Sequence, residues 1–334
     1  MSAVYDLLLR HTDLLATNTT LLGSAKDFSG EWLSTVKKNN IQINTWDWLT
    51  AQAYQDQIDN HLVTFGLPTT DQLQDRTVIL LWPKAKPFAQ ALIQLIATTA
   101  KRCYVVAAND AGGKSIGSAC KEFSSSAIKL DSARHCSLWS IDLTPVAKFN
   151  WLAMGRSFKW DGSDYLTLPG VFSHGSLDSG TSVLLEHLPA PAHGRLLDLG
   201  CGSGVIGLSL KKRSPSLEVV LTDVDAFALR SAQLNSMRLA LPAEILHSDG
   251  LTSIDGRFDF IITNPPFHQG KNTDYEFARR LFIEAKQHLV KDGQLWLIAN
   301  RHLGYEEWAQ EAFDHVEVMV QEKGFKLICA QEPR

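Results

Sequence analysis

The run Leu196-Leu197-Asp198-Leu199-Gly200-Cys201-Gly202-Ser203-Gly204-Val205-Ile206-Gly207 constrains this chain most. Apolar residues end a buried strand, an acid follows, and three glycines alternate before a second apolar stretch. That order reads as strand, tight turn and helix. Glycine lets a turn adopt positive φ and lets a ligand approach the backbone, because no Cβ intervenes. The dinucleotide fingerprint G-x-G-x-x-G, started at Gly200, needs glycine at position 205, where Val205 stands.

With the acid placed two residues before the first glycine, the run resembles motif I of the S-adenosylmethionine (SAM) methyltransferases of Rossmann-like fold. Their ligand carries an ammonium and a sulfonium instead of a pyrophosphate, so a carboxylate beside the loop makes electrostatic sense.

The chain has 334 residues, enough for two domains. Its five cysteines show no C-x-x-C spacing, which points to a reduced compartment without structural zinc. There is no signal pattern and no membrane-length apolar run, so the expectation is a cytoplasmic protein without a membrane partner. Net charge is −4 but uneven: residues 1–163 carry +2 and residues 164–334 carry −6. The N-terminal half is therefore the better place for an RNA-facing surface, although solvated faces alone give the same charge pattern.

Along the chain, apolar strands alternate with amphipathic helices, which predicts an α/β class with mostly parallel sheets. Strands are expected at 77–82 and 103–108, with further strand-like runs at 127–130 and 136–141. The segment 148–169 reads as connection. Strands follow at 196–199, 217–222, 244–247, 258–263 and 295–299. Helices are expected at 226–239, 274–289 and 305–313. The runs 315–322 and 325–330, around Lys323-Gly324, read as an antiparallel hairpin. The halves share this pattern, so a duplication is expected: domain 1–150, linker 151–164 and domain 165–334. Gly23 stands where Gly200 does, but without the D-x-G-x-G-x-G setting. The first domain is thus expected to keep the architecture without a cofactor site, and to assist RNA recognition.

Asp223 ends the second strand of the C-terminal domain and can accept from both ribose hydroxyls. Asp225 is the N-cap of the following helix. Asp249 suits either the adenine amino group or a turn before Gly250. Asn264-Pro265-Pro266-Phe267 follows the fourth strand and shares the carboxyl-end rim with the glycine loop. An exocyclic amine on a base is a poor nucleophile, because the ring delocalises its lone pair. The Asn264 side-chain oxygen and the Pro265 carbonyl can hold its two hydrogens and orient the lone pair, and Phe267 can stack on the base. Gly112-Gly113-Lys114-Ser115 is not a phosphate loop, since Ala108 stands where glycine is required. Cys201 is a loop residue, and the histidines lack metal-ligand spacing; no metal is expected.

The tetrad [NDS]-P-P-[FYW] after the fourth strand is the motif of amino-group methyltransferases. Four stretches narrow the resemblance: Trp82-Pro83-Lys84-x-Lys86-Pro87, Asp131-Ser132-Ala133-Arg134, Pro169-Gly170-Val171-Phe172-Ser173 with Leu177-Asp178-x-Gly180-Thr181, and Asn264-Pro265-Pro266-Phe267-His268. Together they resemble the bacterial ribosomal RNA small-subunit methyltransferase C family over nearly the whole chain. The resemblance implies two Rossmann-like methyltransferase domains in tandem, the N-terminal one degenerate. It implies SAM as cofactor and N2 of one guanine in the 16S rRNA of the 30S subunit as target, with the protein acting as a monomer. Asn264, Pro265 and Phe267 would then be catalytic. Asp198, Gly200, Gly202, Gly204, Asp223, Asp249, Asp178 and Gly180 would bind cofactor. Phe172, Phe267, His268, Lys84 and Arg134 would meet the substrate. A sister family acting on 23S rRNA shares the tetrad and the domain plan. N6-adenine or protein-glutamine methylation and a non-catalytic assembly factor are the remaining readings.

Overall fold

A computed structural model describes residues 3–265 and 271–333. The chain divides into two compact units, one ending at Met154 and the other beginning at Gly155.

In the first unit, α1 (Ala3–Leu8) precedes β1 (Thr19–Leu22). Then come α2 (Gly30–Asn39), β2 (Gln42–Thr45), α3 (Trp48–Gln55), β3 (Val63–Phe65), α4 (Thr70–Leu73), β4 (Thr77–Leu81), α5 (Lys86–Ile96), β5 (Arg102–Ala108), α6 (Ile116–Cys120), β6 (Ser124–Ala133) and β7 (Cys136–Leu143). The sheet order is β3-β2-β1-β4-β5-β7-β6. The first five strands are parallel, and the last two form an antiparallel hairpin. Strands such as Val78–Leu80 are wholly buried, which is why they read as unbroken apolar runs. Beyond β1 an ideal Cβ on Gly23 would stand 2.6 Å from Leu81 Cβ, so this glycine is a packing residue. Nearby, Trp32 Nε1 donates to the Tyr54 hydroxyl, Tyr54 to Tyr5, and Tyr5 to the Ala25 carbonyl.

The second unit opens with a hairpin, β8 (Arg156–Trp160) and β9 (Ser163–Thr167). Its two-residue turn, Asp161-Gly162, has φ of 47° and 69°, the left-handed pair that matches strand twist. The segment 148–169, expected as connection, is therefore largely built structure. Its aromatic and polar residues alternate across a two-stranded ribbon. Asn235 pins that ribbon to the domain: its Oδ1 accepts from Leu166 N (2.7 Å), and its Nδ2 donates to the carbonyls of Leu166 and Ser203 (2.9 Å each).

There follow α7 (Ser179–His187), β10 (Gly194–Leu199), α8 (Val205–Arg213), β11 (Leu217–Asp223), α9 (Ala226–Leu239), β12 (Glu244–His247), β13 (Phe258–Thr263), α10 (Lys271–His288), β14 (Leu289–Asn300), α11 (Tyr305–Ala309), β15 (Phe313–Glu322) and β16 (Phe325–Pro333). The order β12-β11-β10-β13-β14-β16-β15 repeats that of the first unit. Strands β10 to β14 are parallel, and β16 runs antiparallel to both β14 and β15. This is the expected class, two Rossmann-like domains in tandem, with an antiparallel hairpin closing both sheets and not only the second. Asp225 caps α9 by accepting from Phe227 N and Ala228 N. The last helix stops at Ala309, short of the expected 313, because Phe313 is buried as the first residue of β15. No described helix is long and apolar enough to cross a membrane. The five cysteines are buried free thiols.

Candidate active site at the carboxyl ends of the strands

The glycine loop leaves β10 between its two parallel neighbours. Gly200 N and Cys201 N both donate to the Thr222 carbonyl (2.8 Å), and Gly204 N donates to the Cys201 carbonyl (2.8 Å). Gly200, Gly202 and Gly204 have φ of 71°, 55° and 76°, a region in which side chains are strained. The glycines differ in surroundings. A Cβ on Gly200 or Gly202 would meet nothing within 4 Å, so the backbone there faces an open cradle. A Cβ on Gly204 would stand 3.0 Å from Leu221 Cδ1, and one on Gly207 would stand 2.5 Å from Leu221 Cδ2. These two glycines let α8 lie against β11, a role not assigned to Gly207 from the sequence.

Asp198 was expected to touch the cofactor, but it is wholly buried beneath the loop. Its Oδ2 accepts from Gly207 N at 2.8 Å, tying strand to helix. Its Oδ1 has no hydrogen-bond partner. Burial pushes this carboxyl up to about 7, against the pull of the Gly207 N–H and with help from the charge of Asp223. The side chain therefore positions the loop instead of facing a ligand directly.

Asp223 is half-buried at the end of β11. It accepts from Gly202 N (2.9 Å) through Oδ2 and from Asp225 N (3.0 Å) through Oδ1. Burial raises its carboxyl, opposed by these backbone donors. A carboxylate has about four lone-pair sites, so two bonds leave acceptor capacity for a ribose. The open backbone at Gly200 and Gly202 and this acid suit a cationic nucleoside such as SAM. Asp249 is less free. Arg280 Nη1 holds its Oδ2 at 2.9 Å, and Nη2 holds its carbonyl at 3.1 Å. Arg280 also pairs with Glu284, strapping the Asp249-Gly250 turn to α10. Nothing in the sequence pattern singled out Arg280.

Thr263 Oγ1 donates to the Leu199 carbonyl (2.8 Å), so the chain following β13 emerges beside the glycine loop. There Asn264 Nδ2 donates to Asp178 Oδ2 (2.9 Å) and to Thr181 Oγ1 (2.8 Å). Asp178 Oδ2 also accepts from Thr181 N (3.0 Å) and so caps α7. Asp178, expected at the cofactor, thus has the task of clamping the Asn264 amide. Gly180 is likewise a packing residue: its ideal Cβ lies 3.1 Å from Phe325 Cε1. Both hydrogens of the Asn264 amide are used, and no hydrogen bond from the described residues reaches its Oδ1. Pro265 is buried, while Phe267 and His268 lie outside the described residues.

The remaining expected contacts are scattered. Phe172 is 66% exposed in the second unit. Lys84 is exposed in the first. Arg134 does not offer a free cation, because its guanidinium pairs with Asp6. It occupies the two-residue turn between β6 and β7 at φ 50°, so its place is set by the hairpin. The buried Cys201 thiol is raised well above its ordinary value by burial, as befits a loop residue and not a nucleophile. Glu186, His187 and Glu322 converge, but Lys323 Nζ already lies 3.1 Å from Glu186 and 3.3 Å from Glu322.

The profile of the "Methyltransferase small domain" family matches residues 163–329, and that of the "Methyltransferase small domain N-terminal" family matches residues 6–155. The chain is 34% identical to the ribosomal RNA small subunit methyltransferase C of Stutzerimonas stutzeri, covering 97% of this chain and 98% of that one. The protein of the same name from Acinetobacter baylyi is 34% identical, with 98% of each chain covered. This chain belongs to the ribosomal RNA small subunit methyltransferase C family. Among solved structures, the T. thermophilus 16S rRNA N2 G1207 methyltransferase in complex with AdoMet and guanosine superposes with a TM-score of 0.80. It is 22% identical and covers 99% of this chain and 92% of its own, so both domains of the fold are shared. The tetrad and the glycine loop fall in the region matched by the first profile and not in the N-terminal one.

Proposed function

We propose that the C-terminal unit transfers a methyl group from SAM to the exocyclic N2 of one guanine in 16S rRNA. One observation carries the reading: the Asn264 amide is clamped by Asp178 and Thr181, with Oδ1 left to accept, beside the open backbone of Gly200 and Gly202. The names of the relatives and of the solved neighbour supply the RNA, the subunit and the atom.

Bound in the cradle, SAM supplies a methyl group activated by its sulfonium. The chain's own residues do the rest. Gly200 and Gly202 give the backbone approach, and Asp223 takes the ribose hydroxyls. The second oxygen of Asp249 is available to the adenine amino group. Asn264 Oδ1 and the Pro265 carbonyl accept the two N2 hydrogens, turning the nitrogen lone pair outward. As the nitrogen gains positive charge, the same two oxygens stabilise it. The product ammonium is strongly acidic, so its proton passes to water without a dedicated base. Phe267, His268 and Phe172 meet the base, which must leave its stack to be reached.

The N-terminal unit holds no cofactor and contacts RNA, with Lys84 on its exposed face. The protein acts in the cytoplasm, as a monomer, on the assembled 30S subunit. The test is methyl transfer from tritiated SAM to 30S subunits, 50S subunits and bulk protein, all from cells lacking the enzyme. Label confined to 30S RNA supports the proposal. Label in 50S RNA moves the chain to a 23S target, and label in protein overturns the nucleic-acid reading.

A further inference from the structure

In the N-terminal unit, Arg76 is a half-buried guanidinium without a carboxylate partner among the described residues. Its Nε donates to Thr20 Oγ1 and its Nη2 to the Thr19 carbonyl, so two anchors on β1 hold the group in place. Burial pulls its pKa down, so the charge is partly sheltered from water. Uncompensated sheltered charge is costly, and a fixed guanidinium keeps its other donors free for a ligand.

Arg76 lines an open depression of about 380 Å³ on the surface of the first unit. Asn18, Asp75, Thr99, Lys101 and Arg102 line it with Arg76. It lies at the amino ends of β1, β4 and β5, whereas the glycine loop of the second unit follows the carboxyl end of its strand β10. Asp75 is the one acid in the lining. Arg102 is matched by Asp142 at 2.6 Å, whereas exposed Lys101 has no acid partner among the described residues. Arg76 and Lys101 thus line one depression with no ion pair of their own among the described residues, and the cations of the lining outnumber its one acid, Asp75.

We infer that this depression is a binding site for a backbone phosphate of the RNA substrate, held by Arg76 and Lys101. The inference rests on the proposed RNA substrate and adds where the N-terminal unit grips it. Asn18 and Thr99 add polar groups around the two cations, and the one aromatic of the lining, Tyr104, is partly buried against the core of the unit instead of standing out as a stacking platform. The grip is therefore on the backbone. Such contacts add affinity and orientation without reading sequence.

The test uses the full chain and 30S subunits from cells lacking the enzyme. Lys101→Glu changes an exposed residue and leaves the Arg76 anchors intact. It should raise KM for 30S subunits by roughly three- to tenfold and reduce the slope of log(1/KM) against log[KCl] by about 1. SAM affinity and kcat should stay at wild-type values. Arg76→Gln, accepted only if its melting curve is cooperative, should act in the same direction. Wild-type KM and salt slope in Lys101→Glu would overturn the inference while leaving the proposed function intact. Failure of the wild-type enzyme to methylate 30S subunits would instead overturn the function, and the site with it.

Discussion

Asn264 and Asp178 are joined by a 2.9 Å hydrogen bond in which the amide donates and the carboxylate accepts. Thr181 accepts the other amide hydrogen at 2.8 Å. Turning the amide over would set its oxygen against the Asp178 carboxylate, so one orientation is enforced. The outward group is then the oxygen, the acceptor that an amine substrate requires.

This predicts a graded series. Asn264→Ala should lose most turnover while keeping SAM affinity, because the contacts proposed for it are to the acceptor amine and would strengthen as charge develops. Asp178→Ser keeps an N-cap but shortens the reach to Asn264, so kcat should fall with little change in melting temperature. Asp178→Asn, which can still accept, should recover much of the rate. Steady-state kinetics with saturating SAM separate these outcomes. An Asp178→Ser enzyme with wild-type kcat removes the clamp from the mechanism.

Asp223→Ala should weaken SAM binding by about 1–3 kcal/mol through loss of charge-assisted hydrogen bonds. The same change releases Gly202 N, so circular dichroism must confirm the fold. Calorimetric titration with unchanged affinity in a folded variant takes Asp223 out of the site.

Much of this was legible in the sequence because it depends on local rules. Glu244–His247 and Phe258–Thr263 are apolar-rich runs bounded by turns, and they are strands at the expected residues. Asp225 caps α9 because a short acceptor preceding a helix has few other uses. What escaped depends on residues distant in sequence. Arg280 meets Asp249 across 31 residues, and Asn264 meets Asp178 across 86. Asp198 looked like a ligand contact because its letter and position fit one, yet whether a side chain ending a central strand points up to a ligand or back beneath the loop is set by tertiary packing. Arg134 escaped for a related reason: a cation looks available until the hairpin that carries it is folded against Asp6.

The raised carboxyl of Asp198 gives SAM binding a pH dependence. In the free protein this acid takes up its proton as pH falls through about 7. A cationic ligand favours the ionised form, so binding expels the proton and lowers the pKa. Affinity should therefore rise as pH climbs from 6 to 8 and then level off. Calorimetry in buffers of different ionisation enthalpy should show proton release below pH 7. Asp198→Asn should flatten the profile. Equal affinity at pH 6 and pH 8 in the wild type contradicts the assignment.

One SAM per chain is expected. Gly200 and Gly202 face open space, whereas Gly23 in the first unit is packed against Leu81. Equilibrium dialysis giving two bound SAM molecules per chain would show that the N-terminal unit also holds cofactor.

The most direct test is the modified nucleoside itself. 30S subunits from a strain lacking the enzyme are treated with wild-type protein and SAM. Their 16S rRNA is digested and examined by mass spectrometry, with Asn264→Ala as control. The account predicts one new N2-methylguanosine per 16S rRNA with the wild type and nearly none with the variant. No gain in 16S rRNA, or a gain at a nitrogen other than guanine N2, would contradict it.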